Sequence, residues 1–535
     1  MTMGFQQSTS MDDVSLKPRM LRSLIKKYVP DEKPALNFNI TLQLPKLVSI
    51  IQTHQLLSES STQSMDQKLI DSWKSAVDDW VNRLLLLLSS DMCSSDRFLM
   101  FYHEWFNKLL FHIQVAYWLF VFDCFPNVAN LLYFPDDSQL VKVAACTSMS
   151  DLLTRLARFP EVKKGANDLA GKVIQLVLKL LNDSVEAICD GAASLTYTII
   201  TFFPTSIRPY YDGVEAAIAS KILSGKFSTK TLEKLAYCLA LLPKSKGDED
   251  SWYIMMQKIL LSINDHLNDA FQGVEEESKA DEAKRLLVPP GKDLPPPLGH
   301  TSLLQATRSS ETMPTSIVTT LLFCSCKMLT SSYPVQVNAP VRAMLAVVER
   351  LLMVDGSLPH TMLPFMTAMQ QELICSELPV LHAYSLDLLI AIIKGIRSQL
   401  LPHAAYIVRL LTRYFRRCAL PELRIKLYSI SRMLLISMGV GMAIYLAPEV
   451  IDNAFNDLNT VGDEDAETSL AKIGPSTGAL PQPSIRKRKR DTKIGSLEDK
   501  QDTTDSEVGA SNTYQTTAIT VKIAALDTLE VLLTV

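Results

Sequence analysis

The sequence has no CxxC pair, no two histidines at metal-ligand spacing and no excess of either charge. Each shortage closes off a class of function. Its nine cysteines are scattered, and Cys324-Ser-Cys326 is the one close pair. With no second pair or histidine at ligand spacing, neither a zinc centre nor a dithiol site is expected. Cys146, Cys189, Cys238 and Cys375 fall in apolar helical runs and are read as buried thiols in a reducing compartment. Lys and Arg number 53 against 57 Asp and Glu, a net charge of −4, which argues against a chain that coats nucleic acid along its length. The N-terminus (Gln6, Gln7, Ser8, Thr9, Ser10, Asp12, Asp13) lacks a signal-peptide core. The most membrane-like run, Leu109 to Phe122, carries His112 and Gln114 and is only fourteen residues long, too short to span about 30 Å of hydrocarbon. No membrane association is expected.

Catalytic signatures are also missing. Gly474-Pro-Ser-Thr-Gly478 has the letters of a nucleophile elbow, but no strand precedes Ser476. Gly165 to Lys172 has five residues between its glycines where a P-loop has four, and Val173 stands where magnesium would need Ser or Thr. Gly439-Val-Gly441 lacks the third glycine of a dinucleotide fingerprint. His382 and His403 are expected to cap or pack within helices. No catalytic residue, metal site, cofactor or small-molecule substrate is predicted.

What the chain does have is helical periodicity. From Pro402 to Cys418, Ile407, Leu410, Leu411, Tyr414 and Cys418 fall on one face of a helix. Pro421 interrupts the pattern and opens a second helix with Leu423, Leu427, Ile430 and Leu434. Ala339-Pro340, Leu378-Pro379 and Leu420-Pro421 are each expected to open a helix, with prolines 39 and 42 residues apart. Pro359, Pro402 and Pro448 form a second comb, spaced 43 and 46. Val141-Lys-Val-Ala-Ala145 leading into Asp151-Leu-Leu153 matches Val521-Lys-Ile-Ala-Ala525 leading into Val531-Leu-Leu533, without a gap over 13 positions. Two helices per period of about 40–47 residues mark HEAT or armadillo repeats. The predicted fold is an all-α, HEAT/armadillo-like solenoid with a disordered C-terminal segment.

Composition divides the chain. Residues 1–16 are expected to be disordered, and 17–274 to form a first helical-repeat region. Residues 275–315 are read as an acidic, proline-rich loop, on Glu275-Glu-Glu277, Asp281-Glu282 and Pro295-Pro-Pro297. Residues 316–458 form a second helical block. Residues 459–515 are expected to be disordered, being too polar to offset ordering entropy. Residues 516–535 read as a repeat helix cut short, as in a fragment.

Two basic features stand out. Arg486, Lys487, Arg488, Lys489 and Arg490 lie consecutively in the polar segment, a run of the type bound by nuclear-import receptors, an importin being the expected partner. Arg409, Arg413, Arg416 and Arg417 form one stripe on the helix described above. Between Lys394 and Arg432 nine cations face a single acid, Glu422. The stripe is the candidate partner-binding surface. Its expected ligands are an acidic protein segment, ribosomal RNA or the chain's own acidic loop at 275–282, against the alternative of a solvated face with local ion pairs. Leu84 to Leu88 and Leu529 to Leu533 match LxxLL, but are expected to be core leucines of repeat helices.

Several runs resemble the RIX-type N-terminal region of the proline-, glutamic-acid- and leucine-rich protein family, in a plant-like form. They are Leu16-Lys-Pro-Arg-Met-Leu-Arg-Ser-Leu-Ile25, Val29-Pro-Asp-Glu-Lys33, Trp73-Lys-Ser-Ala-Val77, and Val141 to Cys146 continuing through Asp151 to Leu156. Leu423-Arg-Ile-Lys-Leu-Tyr428 followed by Leu434-Leu435 is similar to that family's second helical block. The resemblance implies a non-enzymatic scaffold of a nuclear RIX complex in large (60S) ribosomal subunit biogenesis and in processing of the second internal transcribed spacer. The partners it implies are a WD40-propeller subunit, a HEAT-like subunit, the AAA ATPase midasin and the pre-60S particle. The implied location is the nucleus, in nucleolus and nucleoplasm. The alternatives are a nuclear transport adaptor of armadillo type and an LxxLL-type transcriptional coregulator. The five tryptophans do not repeat at the helical-repeat period, which argues against the adaptor.

Overall fold

The computed structural model describes residues 11–28, most of 46–56, 67–89, 139–160, 163–271, 275, 277–287, 295–300, 315–355, 368–459 and 506–535. The described residues contain helices and connecting turns and no strand. They form two compact units, one of Met1–Ala270 with Leu287–Pro340, the other of Phe271–Leu286 with Val341–Val535.

The first unit begins with α1 (Met11–Tyr28), which packs on α2 (Gln67–Ser89). Leu21 is fully buried, and Arg22 reaches Asp79 at 3.4 Å and Ser75 at 3.1 Å. The helix starts at Met11, inside the span expected to be disordered. Two layers then alternate. One holds α3 (Gln139–Leu156), α5 (Glu186–Phe202), α7 (Thr229–Leu241) and α10 (Thr315–Thr330), each packed on the next. The other holds α4 (Lys163–Leu181), α6 (Tyr211–Ser224) and α8 (Glu249–Ala270). The matched Val141 run lies on α3, with Val141, Ala145, Cys146, Leu152 and Leu153 buried. Cys146 and Cys238 are buried and their thiols are pushed up to about 12 by desolvation, which keeps them protonated and unreactive. Cys375, expected to be buried, is exposed.

The second unit repeats the two-layer plan. α11 (Val341–Met353), α13 (Ala404–Phe415) and α15 (Val440–Asn459) form one layer; α12 (Ala368–Ile396), α14 (Pro421–Met438) and α16 (Ser506–Thr534) form the other. α16 contacts both α14 and α15. Pro421 occupies the first turn of α14 after an extended Leu420, as its fixed φ and missing N–H require.

The structure corrects several boundaries. Pro379 does not open a helix: α12 runs through it. Its missing N–H strands the carbonyl of Cys375, one turn earlier, on an exposed stretch where solvent can serve it. Pro448, of the second comb, lies inside α15. The expected 275–315 loop contains α9 (Glu277–Leu287), and Glu275 is buried against Arg350 at 2.7 Å. α10 packs on α7 in the first unit and so does not open the second block. α16 begins at Ser506, ten residues inside the span expected to be disordered. The apolar run 109–122 and residues 460–505 lie outside the described residues. Among the described residues Glu372–Ile396 is long and apolar enough to cross a bilayer, but half of it is buried inside its unit, as in a core helix.

Candidate functional site

The basic stripe begins on α13, which carries Arg409 and Arg413 between α11 and α15 of the same layer, and continues into the turn after Phe415, which carries Arg416 and Arg417. Ile407, Leu410, Leu411, Tyr414 and Phe415 are buried, so the apolar face points inward and the arginines outward. His382 of α12 braces the helix from within. Its Nδ1 lies 2.9 Å from the Tyr414 hydroxyl and its Nε2 3.1 Å from the Val354 carbonyl oxygen. Burial pushes the His382 pKa below the ordinary imidazole value.

Acids from both neighbouring helices meet the stripe. Arg413 lies 3.6 Å from Glu349 of α11, Arg417 lies 3.8 Å from Asp355 just past α11, and Arg416 lies 3.2 Å from Glu449 of α15. Arg417 also donates to the Met353 carbonyl at 3.3 Å. The guanidinium of Arg409 stands 5.3 Å from the ring centre of Tyr406, whose hydroxyl donates to Glu349. The side chains of Arg413, Arg416 and Arg417 remain 57%, 71% and 52% exposed. With Glu349 and Met353 they line a shallow pocket of about 400 Å³.

Arg424 has a different task. It lies 2.7 Å from Asp457, donates to Asn453 Oδ1 at 3.1 Å, and donates to the carbonyls of Cys418 and Phe415 at 3.0 and 3.4 Å. It therefore caps the carbonyl end of α13 and holds the turn that presents Arg416 and Arg417. Lys426 pairs with Asp387 at 2.5 Å and Arg432 with Asp527 at 3.3 Å. Six of the nine cations between Lys394 and Arg432 thus have acid partners, all outside that window. Glu349, Met353, Asp355 and Glu449 were missed because no local window contains them. The signal that could have found them is an acid on the polar flank of each helix one repeat away.

Within the 275–282 segment Glu275 is engaged by Arg350, while Glu282 lies close enough to Tyr406, the residue under Arg409, to add to burial and Glu349 in raising the phenol's pKa. The import-type run Arg486–Arg490 and Ser476 lie outside the described residues, as do the side chains of Leu84 to Leu88. Leu529 and Leu532 are half-buried and Leu533 is 88% exposed, so none of the three takes the core placement expected for that run. Among the described residues no group of three His, Cys, Asp or Glu side chains is placed to hold a metal ion.

Comparison with known families adds what geometry cannot. Residues 21–229 match the RIX1 family model, described as rRNA processing/ribosome biogenesis. This region belongs to the RIX1 family. The role of the RIX1 region accordingly falls within ribosome biogenesis. Among solved structures, the chain is similar to a chain of the Rix1 subcomplex in a Rix1–Rea1 pre-60S particle. The identity is 14% and the TM-score 0.52, over 83% of this chain and 77% of that one, a likeness of fold. Yeast importin-beta (Kap95p) is a more distant match, with 11% identity and a TM-score of 0.38 over 83% of this chain and 51% of that one. No curated protein matches. The RIX1 region runs from the second half of α1 to the first residue of α7, and the stripe on and after α13 lies outside it.

Proposed function

We propose that the chain is a non-enzymatic scaffold in assembly of the large ribosomal subunit, acting in the nucleus on pre-60S particles and in processing of the second internal transcribed spacer. The match of residues 21–229 to the RIX1 family carries this reading. The fold supports it: within each unit helices stack in two layers, an architecture that suits holding other proteins together. The similar chain belongs to a Rix1–Rea1 pre-60S particle, so Rea1, the midasin ATPase, is a proposed partner alongside a WD40-propeller subunit and a HEAT-like subunit. The Arg486–Arg490 run is the proposed import signal. The stripe of Arg409, Arg413, Arg416 and Arg417 is a proposed partner surface.

Depletion of the protein tests the reading directly. Northern analysis is expected to show accumulation of precursor rRNA retaining the second internal transcribed spacer; normal processing after clean depletion would sink it. Affinity purification from nuclear extract with nuclease is expected to retain the propeller subunit, the HEAT-like subunit and midasin. Recovery of transport receptors or transcription factors alone would favour the adaptor or the coregulator.

A further inference from the structure

The charge arrangement at the stripe narrows its ligand. At the pocket three exposed guanidiniums, Arg413, Arg416 and Arg417, face three carboxylates, Glu349, Asp355 and Glu449, so these three pairs carry no net charge, while Arg409 stands against the Tyr406 ring. A nucleic-acid backbone is drawn by net positive charge through counterion release, and here it would meet matched carboxylates. What the site offers is directional. Each guanidinium has five N–H donors, and its acid contact is 3.2 to 3.8 Å long, which leaves donors turned to solvent. The acids on either side are themselves held. Glu349 accepts from the Tyr406 hydroxyl, and Glu449 Oε1 accepts from Asn453 Nδ2 at 3.0 Å. The arginines are therefore oriented before any ligand arrives. The pocket between them, about 400 Å³, is also lined by Met353, a residue whose thioether chain suits an adaptable apolar contact.

We infer that this pocket takes an acidic side chain from an extended segment of a partner protein, its carboxylate received by Arg413 and Arg416 and a neighbouring apolar side chain resting on Met353. Asp355 makes the longest of the three ion pairs at 3.8 Å, and a second acidic side chain of the same segment displaces it from Arg417.

Fluorescence anisotropy on the full-length protein tests this with two labelled probes: a peptide built of repeated Asp-Glu-Leu, and a single-stranded oligouridine RNA. The peptide is expected to bind saturably and more tightly than the RNA. The double substitution Arg413→Ala with Arg416→Ala should weaken peptide binding by about thirtyfold, the loss of two charge-assisted hydrogen bonds. Its unfolding midpoint should stay near that of the parent. The independent variant Asp355→Ala should tighten peptide binding about threefold, because it frees Arg417. Absent saturable peptide binding, unchanged affinity in the double variant, tighter binding of the RNA, or weaker binding by Asp355→Ala would each overturn the inference. The peptide titration and the rRNA assay are independent, so failure of one leaves the other standing.

Discussion

A buried ion pair anchors the first unit. Lys258 of α8 lies 2.7 Å from Glu215 of α6, with side chains 7% and 1% exposed, and the same carboxylate accepts from the Gly299 N–H at 3.4 Å. Removing one partner strands the other charge away from water. Lys258→Ala is expected to destabilise the unit by about 3–5 kcal/mol, checked by urea denaturation. His382 supplies a pH dependence in the second unit. Burial lowers its folded pKa below the unfolded value of about 6.5. The folded state therefore resists protonation more than the unfolded chain does. Stability is full above pH ~6.5 and is lost as pH falls toward and through the folded value. Melting temperature should drop between pH 7.5 and pH 5.5, and His382→Gln should flatten that drop. Tyr414 and Asp355, which face His382, remain in the variant.

Helices in both units are tied to their neighbours at their ends. Glu186 of α5 accepts from the Ser228 N–H and the Thr231 hydroxyl, both at 2.9 Å, and so closes the amino end of α7; the Ser228 hydroxyl, with these two donors, holds its pKa low. Lys221 of α6 donates to the carbonyls of Asn182 and Asp183 at 3.1 and 2.7 Å and closes the carboxyl end of α4. Arg424 does the same for α13. Gly439 joins α14 to α15 at φ 63 and ψ −150, a conformation essentially confined to glycine. No atom would crowd an added Cβ there. The cost of Gly439→Ala is therefore one of backbone strain, and a loss of about 1–3 kcal/mol is expected in thermal or chemical unfolding of the variant.

Across the whole chain, the proposed role needs delivery to the nucleus as well as a surface. Replacing Arg486–Arg490 by alanine should abolish nuclear accumulation of the fluorescently tagged protein, while its melting temperature stays unchanged. Retained nuclear accumulation would remove the import assignment. The chain's 47% apolar content is spent on repeating interfaces, since α3, α5, α7 and α10 each bury a face on the next, and α12, α14 and α16 do likewise.

Helical class, repeat period and the apolar face of α13 follow from the sequence because they depend on residues three to eleven positions apart, which the backbone itself holds together. Ile407, Leu410, Leu411 and Tyr414 are buried as their spacing requires, and Pro421 starts α14 as its chemistry requires. The runs at Leu16, Trp73 and Val141 lie within or beside the region matched by the family model, so the family too was legible. The candidate site was legible only in half. Four arginines on one face can be counted from their spacing. Glu349, Asp355 and Glu449, which pair with three of the four and make a donor-rich pocket, are brought there by helices stacked from other parts of the chain. Burial of Glu275 on Arg350 and the passage of α12 through Pro379 were decided in the same way. Tertiary packing chooses the partner of a charge and the environment of a freed carbonyl, and neither is fixed by covalent neighbours.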